Sequence, residues 1–66
     1  MTRNEQIYTA KAMKRYGGSF VKALGEALLL ADVDNAERIR RAFTDYWANY
    51  GPESTFFRVI ELEAQA

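Results

Sequence analysis

The chain has 66 residues, a net charge of zero and neither cysteine nor histidine, with 48% hydrophobic and 27% charged residues. A chain of this length forms one domain around one small core. The missing residue types exclude a disulfide framework, thiolate metal sites and the commonest general base. We therefore predict a binding protein rather than an enzyme, with no catalytic, cofactor or metal site.

The hydropathy pattern shows neither a membrane segment nor a targeting segment. No apolar run approaches the roughly 20 residues that a membrane helix needs. The N-terminus has no basic stretch followed by an apolar one, as a signal peptide would. Since small domains without cysteine staples are typical of reducing compartments, we expect a cytoplasmic protein with no membrane association.

A first helix is predicted from about Arg3 to Arg15. Thr2 and Glu5 have the spacing of a capping box, in which each side chain bonds a free backbone N–H at the helix start. On a helical wheel, one side is predicted to face the core, and it carries Tyr8, Thr9, Ala12, Met13 and Tyr16. The opposite side carries Arg3, Ile7, Lys11, Lys14 and Arg15.

A turn is predicted at Gly17 and Gly18, which we expect to end the first helix in a left-handed conformation. Ser19 is then placed to act as the N-cap of a second helix. That helix is predicted to run from about Phe20 to Ala31.

The second helix is predicted to face the core with an apolar arc flanked by Val21 and Leu30. The residues of the arc are Phe20, Ala23, Leu24, Ala27, Leu28 and Ala31. Gly25 costs about 1 kcal/mol relative to alanine in a helix, so it predicts the close approach of a neighbouring backbone or ring. Leu29 falls on the polar side and is expected to be exposed.

A third helix is predicted from Asp34, paired with Glu37 as a capping box, to Tyr50. Gly51 and Pro52 should end it, again with a left-handed glycine. Its apolar residues occupy one arc of roughly 140° on the wheel, and we expect this face to pack on the core. They are Ala36, Ile39, Ala42, Phe43, Tyr46, Trp47 and Tyr50.

The C-terminal segment is predicted as a short fourth helix from about Pro52 to Glu63, with Pro52 at the first helical position. A β-strand is the alternative, because the segment is rich in β-prone residues. A lone strand would have no partner in this chain. The predicted fold is therefore all-α, a compact bundle of three helices plus a short C-terminal helix.

An acidic surface is predicted around the turn between the second and third helices. Such a surface can mimic phosphates and compete for a basic nucleic-acid groove on another protein. An exposed leucine would add an apolar contact. The predicted protein-binding residues are Glu26, Leu29, Asp32, Asp34, Glu37 and Asp45.

Two alternatives rest on other surfaces. The basic side of the first helix is typical of a small nucleic-acid-binding or regulatory module, although zero net charge favours a solvated face. The residues of this alternative are Arg3, Lys11, Lys14 and Arg15. The surplus of large aromatic residues is also consistent with a self-associating structural protein.

The segment from Tyr16 to Tyr50 contains Tyr-Gly-Gly-Ser-Phe-Val-Lys-Ala-Leu, followed by Ala31-Asp32, Asn35, Arg38-Ile39, Ala42-Phe43, Tyr46-Trp47 and Tyr50. This half of the chain resembles small helical proteins encoded by phages and prophages. The shared motifs are structural, so no site residue transfers. The resemblance implies a phage-type accessory protein that binds host machinery in the host cytoplasm. Our leading hypothesis is stoichiometric inhibition of a host defence complex, such as a CRISPR effector in the manner of an anti-CRISPR protein, by a monomer or weak homodimer.

Overall fold

The computed structural model describes residues 1–66 and contains five α-helices and no strand. They are α1 (Arg3–Tyr16), α2 (Ser19–Leu30), α3 (Val33–Ala42), α4 (Thr44–Tyr50) and α5 (Thr55–Gln65). The predicted all-α class is confirmed, and the β-strand alternative for the C-terminal segment is wrong. None of the five helices combines the length and apolar character that a membrane-spanning segment needs.

Helix α1 lies at the centre of the fold and packs against α2, α4 and α5. Its predicted capping box is confirmed. The Glu5 backbone N–H donates to Thr2 Oγ1 at 3.1 Å, and the Thr2 N–H donates to Glu5 Oε1 at 2.7 Å. The buried core joins α1 to α2 and α3, and its residues are Ala10, Met13, Val21, Leu28 and Ala36.

The turn between α1 and α2 differs from the prediction. Neither Gly17 nor Gly18 is left-handed, with φ of −81° and −76° in extended conformations. Position 17 requires glycine because there is no room for a side chain: a Cβ there would lie 2.6 Å from the Met13 carbonyl oxygen. Gly18 is the N-cap of α2 and Ser19 is its first helical residue, so the predicted serine cap is wrong.

Helices α1 and α2 approach each other closely at Gly25, as predicted. A Cβ at this position would lie 2.8 Å from Met13 Cβ and 2.9 Å from the Ala10 carbonyl oxygen. A side chain would therefore push the two helices apart.

The face of α2 that meets the core is rotated by roughly a quarter turn from the predicted arc. Val21, Gly25 and Leu28 are buried, whereas Phe20 is 57% exposed. The close contact at Gly25 determines which side of α2 packs against α1. Part of the predicted apolar arc does not lie on that side. Leu29, predicted to be exposed, is half-buried and packs against the core.

The predicted third helix is broken at Phe43, which has φ −124° and ψ 58°. The Phe43 N–H donates to the Ile39 carbonyl at 3.0 Å and its carbonyl accepts from the Trp47 N–H at 2.9 Å, so Phe43 ends α3 and begins α4. Because of the break, α4 turns back onto α1 and α5. The aromatic residues of α4, Tyr46, Trp47 and Tyr50, pack against the core.

The ends of these helices also correct three predictions. Asp32, not Asp34, caps α3, and its carboxylate accepts from the Asn35 N–H at 2.9 Å. Gly51 has φ −82° and is not left-handed. Pro52 lies in a turn outside the helix, because Ser54 is the N-cap of α5 and its hydroxyl oxygen accepts from the Phe57 N–H at 3.1 Å.

Candidate protein-binding site

Two of the predicted acidic residues are neutralised by cations. Glu26 on α2 forms an ion pair with Lys14 on α1. Glu37 on α3 forms an ion pair with Arg40 and lies 3.8 Å from Arg41 Nε. These two carboxylates therefore add little negative potential to the surface.

The pKa of Glu37 is lowered below its ordinary value. The hydrogen bond from Arg40 is the largest cause, with Nε lying 2.8 Å from Glu37 Oε1. Partial burial opposes the change, and the charges of Arg40, Arg41 and the N-terminal amine support it. Glu37 thus serves as a structural ion-pair partner within α3.

Three predicted acids, Asp32, Asp34 and Asp45, are exposed and form no ion pair. Asp32 and Asp34 are brought together at the start of α3, where Asp32 also caps the helix. Asp45 lies in the first turn of α4, beyond the length of α3. Ten helical residues span about 15 Å, so Asp45 does not belong to the same local cluster.

The α2 to α3 turn therefore carries two of the three uncompensated acids of the predicted surface. Val33 lies between the two carboxylates and is 79% exposed. We call Asp32, Val33 and Asp34 the acidic turn. It borders a surface groove of about 270 Å³ whose other walls come from Ala31 and from the N-terminal end of the chain, including Arg3.

Half of the predicted basic surface of α1 is compensated by ion pairs. Lys14 pairs with Glu26, and Arg15 Nη1 lies 2.6 Å from Glu63 Oε1. The bond to Glu63 raises the pKa of Arg15 above its ordinary value, and the guanidinium also lies 5.3 Å from the centre of the Tyr16 ring. Of the four predicted nucleic-acid-binding residues, Arg3 and Lys11 remain exposed without an ion pair.

A buried glutamine that sequence reasoning missed fixes the position of the acidic turn. Gln6 Nε2 donates to the carbonyl oxygens of Leu28 and Ala31, both at 2.9 Å. These carbonyls lie at the C-terminal end of α2, where helical N–H partners run out. The Leu28 carbonyl also accepts from the Ala31 N–H at 3.2 Å, whereas the Ala31 carbonyl depends on Gln6. Gln6 is three and seven residues before Thr9 and Met13 on the inward face of α1, so its helical spacing was the available signal.

An exposed apolar surface on α2 was also missed. Phe20, Ala23, Ala27 and Leu30 share one side of the helix and are all exposed, Leu30 to 77%. We call these four residues the α2 stripe. The signal was that α2 is apolar on nearly all sides, with Lys22 and Glu26 as its only charged residues, and such a helix has more apolar surface than one interface can cover.

Comparison of the chain with known protein families, curated proteins and solved structures finds no match. The resemblance to phage accessory proteins stays a prediction. What the chain can do is therefore argued from its own surface.

Proposed function

We propose that this chain is a phage-type accessory protein that inhibits a host defence complex, such as a CRISPR effector, by binding it stoichiometrically and without catalysis. The observation that carries the proposal is the acidic turn. There Val33, 79% exposed, lies between two carboxylates that form no ion pair within the chain.

The composition of the acidic turn suits a protein interface. Specific interfaces have an apolar centre surrounded by polar groups. Val33 supplies the apolar centre, next to the exposed end of the α2 stripe, and Asp32 and Asp34 supply the polar rim. A partner with a basic groove would be attracted by the two carboxylates and would cover the valine on docking.

The acidic turn is held in place before any partner binds. The Gln6 amide fixes the Ala31 carbonyl immediately before the turn, and Asp32 bonds the Asn35 N–H immediately after it. A fixed surface loses less conformational entropy on binding than a mobile loop does. This arrangement favours a tight stoichiometric complex.

The test is a DNA-binding assay of purified CRISPR effectors to which the chain is added. We expect Val33→Ser combined with Asp34→Lys to weaken inhibition by about tenfold or more, because both the apolar centre and one carboxylate are lost. Asp32 is left intact, since its removal would also uncap α3.

Glu53→Lys is the matched control, because Glu53 is exposed, forms no ion pair and lies outside the acidic turn. It should leave inhibition unchanged. If the double variant inhibited an effector as well as the original chain does, the acidic turn would not be the binding surface.

A further inference from the structure

The α2 stripe is an apolar surface that the monomer leaves largely exposed, although the Phe20 ring lies 5.9 Å from the Phe43 ring and 6.0 Å from the Tyr46 ring. Phe20 and Leu30 at its two ends are 57% and 77% exposed. Ala23 and Ala27 between them are exposed as well. The four residues fall within roughly 80° of a helical wheel, so they form one narrow seam along α2.

The order of residues in this seam is self-complementary. When two α2 helices are laid antiparallel with their Gly25 positions aligned, residues at equal distances on either side of position 25 come opposite each other. Phe20 then meets the partner's Leu30, and Ala23 meets the partner's Ala27. Each large side chain faces a large one only at the ends of the seam, and the alanines at its centre allow an interaxial distance near the lower limit of about 8 Å.

The charged residues beside the seam also match in this arrangement. Lys22 has no ion pair in the monomer, and it lies on the same edge of α2 as Glu26. The Glu26 carboxylate, paired with Lys14 of its own copy, is still half-exposed and can accept from a second cation. The partner's Glu26 would lie opposite position 24, within about 3 Å of Lys22 along the helix axis. The two-fold symmetry repeats this pair, as an isologous interface requires.

The ends of the seam offer space for the partner's aromatic ring. Leu30, Ala27 and Ile39 line a surface groove of about 400 Å³ between α2 and α3. In the antiparallel arrangement this groove lies beside the partner's Phe20. On association, the ring of the partner's Phe20 would move from solvent to the apolar wall of this groove. Such burial of apolar surface favours association.

We propose that the α2 stripe binds a second copy of this chain, as an antiparallel α2 pair about a two-fold axis. The proposal shares no residue with the acidic turn and does not depend on the inhibitory function. The dimer presents two acidic turns, one on each copy.

The first test is sedimentation equilibrium over a range of chain concentrations. The original chain should show a reversible monomer to dimer transition, and Leu30→Lys should raise the dimer dissociation constant by about tenfold or more. Leu62→Lys is the matched control, since Leu62 is 51% exposed on α5 and outside the seam. A strict monomer at every concentration, or an equal effect of the two variants, would overturn the proposal.

The second test determines the register of the two α2 helices by disulfide crosslinking. Because the chain has no cysteine of its own, only the introduced cysteines can form a disulfide. In the proposed pair, Ala23 lies opposite the partner's Ala27, close enough for the Cα separation of about 4.4–6.8 Å that a disulfide needs. By contrast, Ala23 of one copy and Ala23 of the other are offset by about 6 Å along the helix axis, and the same holds for the two copies of Ala27.

A mixture of Ala23→Cys and Ala27→Cys chains should therefore form the mixed disulfide dimer several-fold faster than either variant crosslinks with itself. Self-crosslinking of Ala23→Cys at an equal or greater rate would indicate parallel helices and would overturn the proposed arrangement. Both tests use the chain alone, so a negative result in either would not contradict the proposed inhibitory function. A failure to inhibit CRISPR effectors would likewise not contradict the proposed dimer.

Discussion

Two buried polar side chains on α1 differ in whether they have a hydrogen-bond partner. The Gln6 amide donates two bonds to the end of α2. The Thr9 hydroxyl is fully buried and has no partner. A satisfied buried group contributes to stability, whereas an unsatisfied one costs free energy, so substitutions at the two positions should act in opposite directions.

Gln6→Leu should lower the free energy of unfolding by about 2 kcal/mol, because it leaves the Ala31 carbonyl without a donor and removes one of the two donors to the Leu28 carbonyl. Urea denaturation followed by circular dichroism measures this change. Asn4→Ala on the exposed side of α1 is the control and should stay within about 0.5 kcal/mol of the original chain. An equal effect of the two substitutions would show that the Gln6 bonds do not stabilise the turn.

Thr9→Val should raise the free energy of unfolding by about 1 kcal/mol, since valine has nearly the same shape and removes the unsatisfied hydroxyl. The same denaturation experiment applies. Thr44→Val, at an exposed position of α4, should change stability by less than about 0.5 kcal/mol. A loss of stability for Thr9→Val would mean that the hydroxyl has a partner.

At the scale of the elements, the packing of α1 on α2 depends on Gly25. Gly25→Ala should lower the free energy of unfolding by about 2 kcal/mol, because overpacking outweighs the gain of about 1 kcal/mol in helix propensity. A Cβ at Gly18, the N-cap of α2, would meet nothing within 4 Å. Serine is at least as good an N-cap as glycine, so Gly18→Ser is the control and should not lower the free energy of unfolding. A stabilised Gly25→Ala chain would contradict the close helix contact.

The ion pair within α3 gives stability a dependence on pH. Because the pKa of Glu37 is lowered in the folded chain, the ion pair stabilises the fold above the ordinary glutamate pKa of about 4.3, and its effect is lost as the pH falls through the lowered value. Glu37→Gln should therefore lower the melting temperature at pH 7, and the difference from the original chain should shrink towards pH 3.

Glu53→Gln provides the comparison, because Glu53 has no ion pair. Its melting temperature should follow that of the original chain at both pH values. A difference for Glu37→Gln that stayed constant from pH 7 to pH 3 would show that the charge of Glu37 does not matter.

Patterns among residues close in sequence predicted the positions of the helices better than they predicted which face of each helix is buried. The capping box at Thr2 and Glu5 depends on residues three apart, so the sequence was sufficient to place it. The buried face of α2 depends on how α1 packs against Gly25. The break at Phe43 depends on where α4 packs against α1 and α5. Such contacts between distant segments leave no trace in helical periodicity.

At the scale of the whole molecule, pairing between helices decides which charges remain available. Glu26 and Glu63 neutralise Lys14 and Arg15 on α1, and the partners lie far apart in sequence. Sequence reasoning could place an acidic surface near the α2 to α3 turn but could not exclude the compensated residues from it. The uncompensated charge that remains there, around Val33, is what the proposed function requires.

The α2 stripe and the acidic turn lie next to each other at the C-terminal end of α2. A dimer formed through the stripe would leave each acidic turn at the edge of the interface, available to a separate partner. The proposed self-association and the proposed inhibition are thus compatible in one small chain, and we expect each to be abolished by substitutions that spare the other.

The most direct measurement of the central claim is a titration of purified CRISPR effectors with this chain, read as the fraction of effector bound to target DNA. We expect DNA binding by a susceptible effector to fall and to reach its minimum at a fixed ratio of chain to effector, because each inhibited complex holds the chain. Loss of DNA binding at a small fraction of that ratio would indicate turnover and contradict stoichiometric binding. DNA binding that stays unchanged at saturating chain for every effector tested would contradict the proposed function.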